Sequence, residues 1–93
     1  MSLETVVTKY IASTEEVMKE MQLTKGTVSV TEENVANILG YVANYLGDAK
    51  YYKAQGKLET SLTSIAYCEG LLDALRLLDA VKFEWPTKSE RKR

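Results

Sequence analysis

Glu69, Asp73 and Arg76 fall at intervals of four and three residues in the stretch Tyr67–Arg76, YCEGLLDALR. On a helix those intervals bring the three charged side chains to one face. Two carboxylates beside a guanidinium could ligate a metal ion or act as an acid–base pair. The rest of the chain supports neither chemistry. A carboxylate di-metal bundle draws Glu-x-x-His motifs from facing helices, and this chain has no histidine. It also has no second inward carboxylate pair at matched spacing. Hydrolytic acid–base work sets two carboxylates in different environments across a cleft, not as neighbours on one helix. No Gly-rich phosphate loop, Cys/His zinc pattern, nucleophile elbow or catalytic triad is present. Cys68, the single cysteine, projects inward with no histidine to activate it, and reads as an inert buried thiol. The expectation is a non-enzyme with no catalytic, cofactor-binding or metal residues.

The elements that must position these residues follow from apolar periodicity. Leu3, Val7, Tyr10, Thr14, Val17 and Met21 step by four and three, which predicts a first amphipathic helix over about 3–22. Ser2 is its expected N-cap. Residues 23–30, LTKGTVSV, form a linker in which Gly26 can take a left-handed conformation. Ser29 or Thr31 can cap the next helix, and Ser29 with Glu32 has capping-box spacing. The second helix is expected over about 31–55, with a main stripe from Val35 to Tyr52 and a small-residue stripe beside it. Gly56 stops it, and a third helix follows over about 57–82, so the turn forces an antiparallel hairpin. Beyond it Val81, Phe83 and Trp85 alternate with Lys82 and Glu84 until Pro86 ends regular structure. This segment is expected to fold back on the helices.

A hairpin turning near Gly56 pairs residues whose numbers add to about 113. Gly47 then meets Ala66, Ala43 meets Gly70 and Gly40 meets Ala74. Each helix-interior glycine costs about 1 kcal/mol relative to alanine, and close helix packing at these six positions would offset that. A parallel first and third helix would set Thr14 beside Leu72 and Tyr10 near Cys68. Tyr10, Thr14, Glu69, Asp73 and Arg76 would then form a paired polar layer that fixes helix register.

Ninety-three residues with 45% apolar and 27% charged content suit one globular domain. The expected organisation is a helical bundle over 1–86 and a mobile basic tail over 87–93. The tail holds Lys88, Arg91, Lys92 and Arg93 against Glu90, a balance of +3, which leaves the body at −4 within a net charge of −1. That is not the footprint of a nucleic-acid surface spread over a fold. No apolar run approaches the ~18 residues a membrane span needs. No signal-peptide pattern is present, and the lone cysteine suits a reducing cytoplasm. The candidate partner surface comprises Tyr41, Lys50, Lys53, Lys57, Trp85, Arg91, Lys92 and Arg93.

The stretch DAKYYKAQGKLETSLTSIAYCEGLLDALRLL, residues 48–78, resembles the signature of a small archaeal helical family catalogued as domain of unknown function 357. The similar features are a Tyr-rich helix end, the Gln55-Gly56-Lys57 turn, and the Tyr67–Arg76 run. Thr60-Ser61-Leu62-Thr63 departs from the pattern, which would place an alanine at the hairpin's close contact. The resemblance implies a cytosolic helical bundle without assigned activity. It also implies an accessory or binding role, since related domains are at times attached to nucleotidyltransferase-like domains. The hairpin is similar, too, to one tetratricopeptide-like unit, but one unit is not an array.

The expected protein is thus all-α: an up-down-up three-helix bundle with a tight hairpin between its second and third helices. Its expected role is a non-enzymatic interaction module with a protein partner or self-association. The alternative is an accessory protein that binds nucleic acid or a nucleotide-handling partner weakly through the tail and the second-helix lysines.

Overall fold

The computed structural model describes residues 2–86, and the tail, with Arg91, Lys92 and Arg93, lies outside them. Three helices follow in order: α1 (Leu3–Glu20), α2 (Glu32–Ala54) and α3 (Leu58–Leu77), with no strand among the described residues. The expected all-α, three-helix arrangement is present.

Local chemistry explains the helix ends. Ser2 caps α1, its side chain accepting from the Thr5 amide at 3.1 Å. Thr31 rather than Ser29 caps α2, and its capping box closes with Asn34 rather than Glu32. Gly56 ends α2 in a left-handed conformation at φ 77°. The Lys57 amide reaches back to Tyr52 O and the Gly56 amide to Lys53 O, a Schellman pair. The same pair ends α3 about five residues earlier than periodicity suggested. There the Ala80 amide donates to Leu75 O and the Asp79 amide to Arg76 O. Asp79 itself takes φ 59°, a conformation that aspartate tolerates better than most residues.

The core is the seam between α2 and α3. Its buried residues are Val42 and Ala49 on α2, and Cys68 and Leu75 on α3. Both pairs are seven apart, so each lies on one helical line. Two hydrogen bonds fix the register. Ser61 Oγ donates to Ala49 O at 2.6 Å, and Cys68 Sγ donates to Val42 O at 3.4 Å. The paired positions add to 110 in both, which sets Leu75 opposite half-buried Val35. A hydroxyl and a thiol reach main-chain carbonyls only if the helices approach closely, and small side chains at 49, 61 and 68 permit it.

The close approach is therefore real, but the glycines do not carry it. A methyl group added at Gly40, Gly47 or Gly70 would meet nothing within 4 Å. Ala43, Ala66 and Ala74 are exposed as well. At 100° per residue these positions stand about 100–160° away from the seam line. The three-residue difference in register, 110 against 113, moved the contact onto the neighbouring stripe. A helix glycine facing open space only loses backbone entropy, so Gly70→Ala will raise stability by about 0.5–1 kcal/mol. A thermal melt checks this; a fall in Tm would show that something packs on Gly70.

α1 stands off from the hairpin. No Cα of α1 comes within 8 Å of a Cα in α2 or α3. The Cα radius of gyration is 16.0 Å, against about 12 Å for a compact domain of this length.

Candidate functional site

Asp73 is the centre of the most connected polar group. Its Oδ1 accepts from Arg76 Nε at 3.2 Å, Arg76 Nη2 at 3.0 Å and Trp85 Nε1 at 2.9 Å. The chain reverses after Asp79, and residues 81–86 then alternate half-buried and exposed, with Val81, Phe83 and Trp85 inward. Phe83 and Trp85 meet edge to face at 5.0 Å, and the Arg76 guanidinium lies 5.9 Å from the Phe83 ring centroid. The segment thus straps back onto α3, as its alternation led us to expect, and Trp85 is its latch rather than a free anchor.

The strap also explains why the expected polar layer does not form. Asp73 and Arg76 are joined, but Trp85 takes the place the layer assigned to α1. Tyr10 is 68% exposed and Thr14 is exposed too, both along the open face of α1. No polar side chain is buried among the described residues. Glu69 is half-buried. Among the described residues no group of three or more His, Cys, Asp or Glu could hold a metal ion.

The indole N–H of Trp85, then the Arg76 guanidinium, hold the Asp73 carboxyl below its ordinary pKa. A depressed folded-state pKa means that docking is favoured above the unfolded value and lost as pH falls through the folded one. Trp85 is the single tryptophan, so its fluorescence reads the latch. Emission is expected to stay constant from neutrality down to about pH 4 and to shift red below it. Asp73→Ala should show the shifted spectrum at pH 7; a variant spectrum identical to that of wild type would count against the latch.

Cys68 is 2% exposed, and burial, more than any neighbouring charge, pushes its thiol pKa up. It is a seam residue rather than a nucleophile.

The remaining candidates are surfaces. Tyr41, Lys50, Lys53 and Lys57 are all exposed, and Lys57 Nζ lies 6.0 Å from the Tyr52 ring centroid. Tyr45 and Tyr67 meet edge to face at 4.6 Å on one side of the seam. An open concavity borders α1. Leu3, Val6, Val7, Ile11 and Met18 line a groove of about 790 Å³, with Thr63 of α3 at its edge. Seven large apolar residues of this stripe, Leu3 to Met21, are between 47% and 68% exposed. Sequence reasoning found the stripe but assigned it to the core. The one signal that α1 would stand off is the eleven-residue stretch from Met21 to Thr31 that separates it from α2. No helix among the described residues is long and apolar enough to cross a membrane.

No curated protein and no solved structure matches the chain. The family model described as "Protein of unknown function (DUF357)" matches residues 9–81, from within α1 through all of α2 and α3. The Phe83–Trp85 strap lies beyond that span. With most of its length matched and its resemblance at residues 48–78 inside the match, the chain belongs to the DUF357 family of proteins of unknown function.

Proposed function

We propose that this protein is a non-enzymatic helical interaction module that works by presenting the apolar face of α1 to a protein. One observation carries the reading: a continuous stripe on an 18-residue helix lies open along a groove of about 790 Å³. Exposed apolar patches of this extent on small proteins mark interaction sites. The seam needs nothing from α1 to close, which leaves that helix available. A cytoplasmic setting suits the lone buried thiol.

Lys9 and Lys19 belong to α1 and allow a direct test by amine crosslinking in native lysate. Crosslinks from these lysines to another chain, of this protein or a different one, are expected, and Ile11→Asp should abolish them. Crosslinks confined to the chain's own hairpin would overturn the reading. The alternative role, weak contact with nucleic acid, has in its favour the lysines at the hairpin turn. Any such affinity must fall steeply with salt.

A further inference from the structure

The open face of α1 has a matching surface within the same sequence. Tyr45 and Tyr67 mark one side of the seam. Rotation by 100° per residue puts Leu39 and Leu46 of α2 on the other side, along with Leu58 and Leu62 of α3. All four are exposed, Leu58 and Leu62 at 64% and 67%. Lys53 continues the seven-residue line of Leu39 and Leu46, and Lys50 lies beside it. With Lys57 at the turn, the apolar bed ends in three exposed lysines. The C-terminal end of α1 carries Glu15, Glu16 and Glu20 against Lys19, a balance of −3 + 1 = −2, on the flanks of the stripe rather than along it.

Charge decides how the two surfaces meet. Within one chain the shortest return from Met21 to Thr31 lays α1 antiparallel to α2. That return brings Glu15, Glu16 and Glu20 to the end of α2 that begins Glu32-Glu33, and like charges oppose it. The opposite orientation would set the acids against Lys50, Lys53 and Lys57. In one chain it would require the eleven linking residues to run back along α1, about 27 Å, or roughly 70% of their fully extended reach of about 36–40 Å, which holds the linker nearly straight. A second molecule has no such tether. Its α1 can lie parallel to the first molecule's α2, acids on lysines. The N-terminal end of that α1, where the positive helix dipole stands against a single acid, Glu4, then lies toward Glu32 and Glu33.

We propose that two copies of this chain associate reciprocally, each laying α1 on the Leu39, Leu46, Leu58 and Leu62 bed of the other. This inference rests on the reading of α1 as a docking face and names its occupant. The area is sufficient. Seven side chains at about 100 Å² each give roughly 700 Å² per α1, and the reciprocal contact doubles it. A stable interface needs about 800 Å² per partner.

The test uses two charge-reversed full-length chains, Glu15→Lys with Glu20→Lys, and Lys50→Glu with Lys53→Glu. Sedimentation velocity should show a dimer for wild type and dissociation at least about tenfold weaker for each variant alone at low salt. Mixing the two variants should restore wild-type association, because both α1-to-bed contacts in the mixed dimer pair opposite charges. Circular dichroism verifies that each variant keeps its helices. A wild type that stays monomeric near 100 µM, or variants that associate as tightly alone as mixed, would overturn the proposal. If wild type is monomeric while Lys9 and Lys19 still crosslink to a different protein, the occupant is wrong and the module reading stands.

Discussion

Leu75→Ala is expected to lower the unfolding free energy by about 2–5 kcal/mol, the range for emptying a buried leucine site. Leu75 is 1% exposed and is the largest fully buried side chain among the described residues. Its companions in the seam, Val42, Ala49 and Cys68, are smaller, so the seam has little apolar volume with which to close the gap. Small domains are stable by only about 5–15 kcal/mol, so the loss is a large share of the total. Urea unfolding followed by circular dichroism measures it as a fall in midpoint with the slope preserved. Leu62→Ala is the control. Leu62 is 67% exposed, and truncation there should change stability by no more than about 0.5 kcal/mol in the monomer. Equal effects at the two positions would show that the seam is not the core.

Cys68→Leu is the second large effect and comes from the opposite cause. Cys68 Sγ lies 3.4 Å from Val42 O, against the backbone of the facing helix. A leucine cannot occupy that space unless the helices separate, which also lengthens the Ser61 Oγ to Ala49 O bond of 2.6 Å one turn pair away. Overpacking of this kind costs about 1–3 kcal/mol. Cys68→Ser keeps a small donor facing the same carbonyl and should shift Tm much less. If leucine melts no lower than serine, the helices do not approach as closely as the two hydrogen bonds indicate.

Residue types account well for some features and poorly for others. The starts of α1 and α2 were legible to within a residue or two because Ser2 and Thr31 have side chains that satisfy orphan amides, whereas α3 starts after Lys57 without a side-chain cap. The α2 end was legible because Gly56 enters the left-handed region at no steric cost. The α3 end was not, because Asp79 does the same work without advertising it and Leu77, Leu78 and Val81 prolong the apolar pattern. The seam was misplaced by one stripe. A helix with two adjacent inward-looking stripes does not say which neighbour takes which, and Ser61 in a hydrophilic-looking TSLT run proved to be a contact residue. The contact between Asp73 and Trp85 crosses twelve positions and a chain reversal, so no helical spacing encodes it. Its traces were the period-two alternation of 81–85 and an acid at the border of an apolar stripe.

Because α2 reverses at Gly56 without a loop, the pairing along the seam is ordered by sequence separation. Ala49 is twelve positions from Ser61, Val42 is twenty-six from Cys68, and Leu75 is farther still from Val35. Each successive pair closes only a slightly longer loop than the last, so assembly can zip outward from the turn with the speed of locally connected folds. Leu75, at the far end of the zipper, joins late. A side chain that locks after the rate-limiting barrier leaves the closing rate nearly untouched and sets how long the closed form lasts.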